Sequence, residues 1–293
     1  KGTCEMRKIH KVCVVGAGLM GKQIALNAAL HGYLVMLNDS IPEAVGKAET
    51  WADEYLKGRV AKGKLTEEAA AQAKKNLFFT IDLEMAARDA DLVIEAIIEE
   101  QSAKEALFRK LNELAPKDAI LATNSSFMVS SLFAGCVDNP ARLANLHYFN
   151  PALVMKLNEV VQGPHTSKET VDALMDFARN TGKDPVWVRR EIDGFIANRI
   201  VRAVKNEACY LLEEGIATAQ EIDTAVEKGL NYPMGPFRLM DLTGIDLSYL
   251  ASKRVQDETG VKQPGFEAIK AKYEAGEWGR KTGKGWYDYT DQK

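Results

Sequence analysis

The fold of this chain is decided by the stretch Val12-Cys13-Val14-Val15-Gly16-Ala17-Gly18-Leu19-Met20-Gly21. Its first four residues form a short apolar run that ends at a glycine, which is typical of a buried parallel strand. From Leu19 to His31 the apolar side chains recur at helical spacing, and the pattern stops at Gly32. A strand, a glycine-rich turn and a helix in this order predict the opening unit of a doubly wound α/β sheet.

The glycines of this stretch have the G-x-G-x-x-G spacing of dinucleotide-binding turns. Gly16 permits the tight turn, Gly18 lets a pyrophosphate approach the backbone, and Gly21 lets the helix pack closely on the strand. Leu19 and Met20 begin that helix, whose N-terminus offers free N–H groups to phosphates. Because strand and helix stand where the motif requires them, we expect a dinucleotide site here.

An acidic residue follows the second predicted strand, Leu34–Leu37, where such sites bind a ribose. Asp39 in this position accepts hydrogen bonds from ribose hydroxyls and repels a 2′-phosphate, so NAD is favoured over NADP. Its neighbours Asn38 and Ser40 tolerate a phosphate, so Asp39 sets only a preference. The alternative is a Rossmann-type domain that uses another nucleotide-like ligand.

Strands and helices alternate along the chain as far as residue 188. Further strands are predicted at Phe78–Ile81, Leu92–Ile98, Ile120–Thr123, Leu143–Leu146, Asn158–Val161 and Pro185–Val188. Helices are predicted at residues 41–62, 66–75 and 100–114, and a capping box at Thr166-x-x-Glu169 opens one more. This alternation predicts an N-terminal Rossmann-type, doubly wound α/β sheet in residues 1–188.

After residue 189 the strand pattern disappears. One amphipathic helix is predicted at Phe195–Glu214, closed by Gly215, and a second is capped at Thr218-x-x-Glu221 and ends at Gly229. The remaining residues have the pattern of helix and loop. We therefore expect an all-α C-terminal domain in residues 189–293.

The composition is that of a globular protein with ample core for two domains, with 293 residues, 46% of them hydrophobic. The net charge of −3 gives no reason to expect nucleic-acid binding. No apolar run approaches the roughly 20 residues of a membrane span, and the first residues lack the apolar core of a signal peptide. The cysteines show no metal-binding spacing, so we expect free thiols and a cytoplasmic location; they are Cys4, Cys13, Cys136 and Cys209.

His147 is the strongest candidate for a catalytic base among the four histidines. It lies at the end of a predicted strand, and ligands of open parallel sheets gather at strand ends. Imidazole suits proton transfer near neutral pH, and Glu159 could hold the ring in one tautomer and stabilise its cation. The alternative is a core histidine bonded to the backbone. The other histidines are His10 in a charged segment, His31 near a helix end, and His165 in a loop.

Three further features remain ambiguous from pattern alone. The stretch Thr123–Ser126 follows a strand and either binds a substrate oxygen or caps the next helix. Asn198, in the first turns of an apolar helix, either reaches a ligand or bonds a neighbouring loop. A basic cluster is either a solvated face or a site for the phosphates of a long anionic substrate; it comprises Lys57, Arg59, Lys62, Lys64, Lys74 and Lys75.

Several longer motifs, in this order, resemble the 3-hydroxyacyl-CoA dehydrogenase family. They are Asn124-Ser125-Ser126, His147-Tyr148-Phe149-Asn150-Pro151, Met155-Lys156-Leu157-x-Glu159, Gly194-Phe195-Ile196-x-Asn198-Arg199, Tyr232-Pro233-Met234-Gly235-Pro236-Phe237 and Lys281-Thr282-Gly283-x-Gly285. The resemblance covers nearly the whole chain, and its length matches the single-function bacterial type that acts on 3-hydroxybutyryl-CoA.

The resemblance implies roles for individual residues. His147 becomes the general base and Glu159 its orienting partner, while Ser126 and Asn198 hold the 3-oxygen of the substrate. Further residues match positions that contact NAD or close around it; these are Glu99, Lys104, Asn150 and Lys281. The resemblance also implies a homodimer or higher homo-oligomer formed through the helical domain.

The chain departs from the family pattern at three places. Ile192-Asp193-Gly194 lacks the proline that commonly precedes this glycine, and Phe127 replaces a commoner small polar residue beside the substrate serine. A lysine that contacts CoA in some members falls at Gly63. Lys62 and Lys64 flank that position, and we assign the CoA phosphates to them.

The sequence therefore predicts reversible, NAD-linked oxidation of an (S)-3-hydroxyacyl-CoA, with a four-carbon acyl group, in fatty acid or butyrate metabolism. An enzyme for a sugar acid or for 3-hydroxyisobutyrate is one alternative. The 3-hydroxyisobutyrate type uses a lysine base, for which Lys205 is the candidate. A non-catalytic NAD-binding protein is the other alternative.

Overall fold

The computed structural model describes residues 8–290. Two compact units divide the chain, the first extending to Phe195 and the second beginning at Ile196. Cys4 lies outside the described residues, while Cys13, Cys136 and Cys209 are buried free thiols. None of the helices between residues 8 and 290 combines the length and the hydropathy that a membrane crossing requires.

The first unit is built on an eight-stranded sheet in the order β3-β2-β1-β4-β5-β6-β7-β8. The strands are β1 Lys11–Val15, β2 Leu34–Asn38, β3 Leu77–Thr80, β4 Leu92–Glu95, β5 Ile120–Thr123, β6 Leu143–Tyr148, β7 Leu157–Val161 and β8 Asp184–Val188. Neighbouring strands are parallel except β6 and β7, which are antiparallel. The Rossmann-type doubly wound sheet predicted from the sequence is confirmed.

Helices cover both faces of the sheet. They are α1 Leu19–Leu30, α2 Pro42–Ala61, α3 Glu67–Asn76, α4 Leu83–Ala87, α5 Gln101–Leu114 and α6 Lys168–Asn180, with 3₁₀ turns at Ser130–Cys136 and Pro140–Arg142. Side chains of a strand alternate between faces, so Val12 and Val14 join the core beneath α1 and α6, whereas Cys13 and Val15 join the core beneath α5. This two-sided burial explains why β1 is continuously apolar.

The second unit is helical, as predicted. Its helices are α7 Ala197–Glu213, α8 Ala219–Gly229, α9 Pro236–Thr243, α10 Ile245–Thr259 and α11 Phe266–Glu274, followed by a 3₁₀ turn at Arg280–Thr282. Thr218 and Glu221 form the predicted capping box at the start of α8. The core of this unit is apolar and includes Cys209, Phe237 and Ile269.

Three sequence-based boundaries were wrong for local reasons. The residue that caps α6 is Ser167, which accepts from Thr170 N, whereas Thr166 Oγ1 donates to Leu143 O at 2.6 Å. The strand predicted at Leu92–Ile98 ends at Glu95, because the Glu95 carboxylate accepts from Ile97 N at 2.8 Å and bends the chain. The helix predicted from Phe195 begins at Ala197, because Phe195 has φ 48°.

A buried carboxylate holds the end of the chain onto the second unit. Asp241 Oδ1 accepts from Trp286 N at 2.9 Å, and Oδ2 accepts from Tyr287 N and the Tyr289 hydroxyl, both at 3.0 Å. Gly285 lies so close that a Cβ on it would sit 2.1 Å from Asp241 Oδ1. The carboxylate therefore positions residues 285–289, which belong to no helix or strand.

Replacing Asp241 with Asn should lower the free energy of unfolding by about 2–4 kcal/mol, because the amide presents an N–H to a backbone N–H inside the core. Urea-induced unfolding followed by tryptophan fluorescence measures the change. The matched control is Asp257→Asn, which removes an exposed ion pair with Lys253 on α10 and should matter far less. Equal losses in the two variants would contradict this role.

Candidate functional site

The centre of the site is a pair formed across the one antiparallel strand contact of the sheet. His147 in β6 lies directly opposite Glu159 in β7, so both side chains point to the same face. His147 Nδ1 lies 2.9 Å from Glu159 Oε2, and the two residues are 2% and 0% exposed. The carboxylate can only accept, so Nδ1 carries the proton and Nε2 of the neutral ring carries a lone pair.

The other nitrogen of this ring faces a hydroxyl in the loop that follows β5, the neighbouring parallel strand. Ser126 follows β5, and its Oγ lies 2.9 Å from His147 Nε2. Phe149 and Phe195 flank the imidazole with ring centroids 4.6 and 5.3 Å away. The arrangement presents a basic nitrogen beside a hydroxyl donor, in surroundings that limit water.

Two asparagines fix the loop that carries Ser126. Asn124 Oδ1 accepts from Tyr148 N at 2.9 Å, which ties the loop to the residue after His147. Asn145 is fully buried; its Oδ1 accepts from Ser130 N at 2.8 Å and its Nδ2 donates to Met128 O at 2.9 Å. Sequence reasoning missed Asn145, although an amide within an apolar strand is a detectable signal.

The glycine turn has the form that a dinucleotide requires. Gly16 has φ 107°, and a Cβ there would lie 2.4 Å from Ala96 O, so only glycine fits. A Cβ on Gly21 would lie 1.7 Å from Gly16 O, which shows how closely α1 packs on the turn. Gly18 is exposed, and a Cβ on it would meet no atom within 4 Å, so its backbone is open to a ligand.

Asp39 stands beside this turn at the end of β2. Its Oδ2 accepts from Ala17 N at 2.8 Å and its Oδ1 accepts from Ile41 N at 3.0 Å. These bonds fix the carboxylate while leaving lone pairs for ribose hydroxyls. The turn and the acid together fit an NAD molecule.

Lys104 and Glu99 form part of a larger charged network. Lys104 Nζ lies 2.9 Å from Glu99 Oε2 and 2.5 Å from Glu95 Oε1. The hydroxyl of Ser125, the residue before Ser126, donates to Glu99 Oε1. Glu95 was missed by sequence reasoning, although a charge in the apolar strand β4 is a signal of the same kind as Asn145.

The remaining candidates are three exposed residues of the first unit and two residues of the second unit. Asn150 is exposed just after β6, and Lys62 and Lys64 are exposed after the last turn of α2. Asn198 is the second residue of α7, and Lys281 Nζ pairs with Asp246 Oδ2 at 2.6 Å within the second unit.

Other titratable residues have structural surroundings. His31 ends α1, and its Nδ1 bonds Asn27 O at 2.8 Å, as its position near a helix end suggested. His165 Nε2 lies 3.4 Å from the buried Ser130 hydroxyl, and burial lowers the pKa of this imidazole. Burial also lowers the pKa of Lys205, whose Nζ donates to Ser252 Oγ at 3.4 Å.

Two family models together match nearly the whole chain. The NAD binding domain of 3-hydroxyacyl-CoA dehydrogenases matches residues 11–192. The C-terminal domain of the same family matches residues 194–289. The turn and Asp39 lie within the residues that the NAD-binding model matches.

Individual dehydrogenases are also similar in sequence to this chain over nearly all of its length. The chain is 38% identical over 290 residues to 3-hydroxyadipyl-CoA dehydrogenase of Escherichia coli, which covers 98% of this chain but only 61% of that relative. It is 36% identical over 280 residues to 3-hydroxybutyryl-CoA dehydrogenase of Clostridioides difficile, covering 95% of this chain and 99% of the relative.

A solved structure of a 3-hydroxybutyryl-CoA dehydrogenase has the same fold. The crystal structure of (S)-3-hydroxybutyryl-CoA dehydrogenase from Ralstonia eutropha matches with a TM-score of 0.89 at 31% identity, covering 97% of this chain and 100% of that one. Because both family models and these relatives span almost all of its length, the chain belongs to the 3-hydroxyacyl-CoA dehydrogenase family, whose members are NAD-dependent oxidoreductases that act on CH–OH groups.

Proposed function

We propose that the chain interconverts (S)-3-hydroxyacyl-CoA and 3-oxoacyl-CoA with His147 and Glu159 as its general base pair, and that a four-carbon acyl group is its preferred substrate. The observation that carries this proposal is the buried hydrogen bond between Nδ1 and the carboxylate, with Nε2 turned toward the Ser126 hydroxyl. A histidine bonded only to backbone would need no carboxylate opposite it.

Proton movement follows from the orientation of the ring. Nε2 accepts the proton of the 3-hydroxyl group, and Glu159 stabilises the imidazolium that results. In the reverse direction the imidazolium returns that proton to the developing alkoxide. Ser126 donates a hydrogen bond to that oxygen, and one such donor is typically worth about 2.7–4 kcal/mol. Asn198 is assigned to substrate binding as well. NAD, when bound, supplies the acceptor for the hydride from C3.

We propose that the cofactor is held mainly by backbone and one acid. The pyrophosphate binds the turn and the first N–H groups of α1, and Asp39 binds a ribose. The residues assigned to NAD are Gly16, Gly18, Leu19, Met20, Gly21, Asp39, Glu99, Lys104, Asn150 and Lys281. The support is the open backbone at Gly18 and the fixed carboxylate at Asp39.

The remaining assignments are also proposals. Lys62 and Lys64 bind the CoA phosphates, residues 1–188 form the NAD-binding domain, and residues 189–293 form the substrate-binding domain. The helical domain forms a homodimer or higher homo-oligomer, and the enzyme works in the cytoplasm in fatty acid or butyrate metabolism. The support for an acyl-CoA substrate is the naming of the relatives for 3-hydroxybutyryl-CoA and 3-hydroxyadipyl-CoA.

Replacing His147 with Gln should lower kcat for acetoacetyl-CoA reduction by about 10²–10⁴-fold, because the proton donor is lost, while the Kd for NADH stays nearly unchanged. Stopped-flow or steady-state NADH absorbance measures the first quantity, and NADH fluorescence titration measures the second. His165→Gln is the control and should retain activity. Near-normal turnover in the His147 variant would refute the base assignment.

Replacing Glu159 with Gln should lower kcat by about 10²-fold, a milder loss than that of the His147 variant. The amide can donate to Nδ1, which favours the wrong tautomer and cannot stabilise the imidazolium. Steady-state kinetics at saturating NADH measures the loss. A variant as fast as the parent, with the parent's secondary structure, would remove Glu159 from the mechanism.

A substrate screen tests the acyl group and the cofactor together. With NADH, kcat/KM should be higher for acetoacetyl-CoA than for a longer 3-oxoacyl-CoA, and NADPH should be the poorer reductant because Asp39 repels its 2′-phosphate. The loss of NADH or NADPH absorbance, followed over a range of substrate concentrations, gives kcat/KM for each thioester and for each reductant. Turnover of a sugar acid or of 3-hydroxyisobutyrate without CoA, abolished by Lys205→Met, would favour the alternative enzyme.

A further inference from the structure

A charged cluster in the first unit has two fully buried members and one exposed member. It consists of Glu95, Glu99 and Lys104, and it carries two negative charges against one positive charge. Glu95 is 0% exposed and Lys104 is 1% exposed, whereas the Glu99 side chain is 41% exposed. Buried ion pairs seldom stabilise a fold more than apolar residues of similar size, so a cluster of this kind indicates another role.

Glu95 is the fixed member of the cluster. Its Oε1 accepts from Lys104 Nζ at 2.5 Å and from Ile97 N at 2.8 Å, and its Oε2 accepts from Thr123 Oγ1 at 2.6 Å. The carboxylate therefore cannot rotate without losing bonds at both oxygens. Its negative charge is held at one place.

That place lies between the cofactor turn and the loop that carries Ser126. Glu95 ends β4, where it is in register with Val15 of β1 and with Thr123 of β5. Val15 leads directly into the turn at Gly16. The strand order reverses between β1 and β4, and dinucleotides bind across the carboxyl ends of the strands at such a point.

The position of the nicotinamide half follows from the two ends of the site. Asp39 on β2 marks the ribose of the adenine half, so the nicotinamide half extends the other way, over β4 and β5 toward His147 on β6. If NAD binds in this direction, the cluster lies under that half. Hydride transfer to the ring converts a cation into a neutral group, so a nearby charge acts differently on the two redox states.

We propose that the net negative charge of the Glu95–Glu99–Lys104 cluster makes the protein prefer NAD⁺ over NADH and thereby lowers the reduction potential of the bound cofactor. The proposal rests on the proposed function for the direction in which the nicotinamide half lies. Its consequence is an enzyme-bound equilibrium shifted toward 3-hydroxyacyl-CoA and NAD⁺. Glu95 acts as a positioning residue, because it fixes Lys104 and contributes its charge from beneath the site.

The size of the effect can be bounded. Two unit charges about 10–15 Å apart, at an effective dielectric constant near 20, interact strongly enough to change an equilibrium constant by roughly five- to fifteenfold. Glu99 is exposed to solvent, which weakens its interaction below this range. Removing one carboxylate charge should therefore change the preference by roughly threefold or more.

The test compares the Kd for NAD⁺, from calorimetry, with the Kd for NADH, from fluorescence titration. Glu95→Gln and Glu99→Gln should each raise the affinity for NADH relative to that for NAD⁺ by about threefold or more. Lys104→Met should change this ratio of affinities in the opposite direction, in favour of NAD⁺. Thr123→Val is the matched control: it removes the bond to Glu95 Oε2 but keeps the charge. This variant should lower the affinities for NAD⁺ and NADH by the same factor.

The proposal is supported if the glutamate variants and the lysine variant change the ratio of affinities in opposite directions. Damage to the fold would instead change the affinities for NAD⁺ and NADH together. Two results would overturn the proposal. One is a ratio of affinities within twofold of the parent in both glutamate variants, and the other is a change of the ratio in the same direction in both glutamate variants and the lysine variant. If Glu95→Gln does not fold, Glu99→Gln decides, because Glu99 is exposed enough to be replaced. Wild-type protein that binds cofactor but does not reduce acetoacetyl-CoA would refute the proposed function and leave this ratio as the deciding measurement.

Discussion

The site depends on one reversal of strand direction. Strands β1 to β6 are parallel to their neighbours, but β7 returns antiparallel to β6, and that return brings Glu159 opposite His147. The side chains of a strand alternate between faces, so a slip of one residue in this pairing would turn the carboxylate to the other face of the sheet. The register of β6 with β7 therefore fixes both the tautomer and the position of the imidazole.

Polar residues of the first unit concentrate where the strands end. Glu95, Thr123 and His147 lie in the last residues of β4, β5 and β6, and Asn145 in β6 is in register with Thr123. Each of the four is buried and hydrogen-bonded. Earlier residues of the same strands are apolar and pack beneath the helices. The sheet thus supplies rigid apolar support to a polar edge, which is how parallel sheets position ligands.

Much of the fold was predictable because its signals are local. The glycine turn at Gly16, the apolar strands and the helical spacing each depend on neighbours in sequence, and the structure confirms the Rossmann-type sheet and the helical second unit. The direction of β7 was not predictable, because a short apolar run carries no information on its polarity. Adjacent hydroxyl residues at Thr166 and Ser167 were likewise indistinguishable as caps, since burial of Thr166 decides between them.

Three residues of the candidate site, His147, Glu159 and Ser126, were named from the sequence, but the contacts that join them needed the structure. His147 and Glu159 were identified by residue type and resemblance, whereas their buried support needs a three-dimensional view. The most direct test is a crystal structure with NAD and acetoacetyl-CoA bound. In that structure the 3-oxygen should lie within about 2.6–3.2 Å of His147 Nε2 and within hydrogen-bonding distance of Ser126. A substrate whose 3-oxygen lies away from this nitrogen, with the imidazole still closed against Glu159, would contradict it.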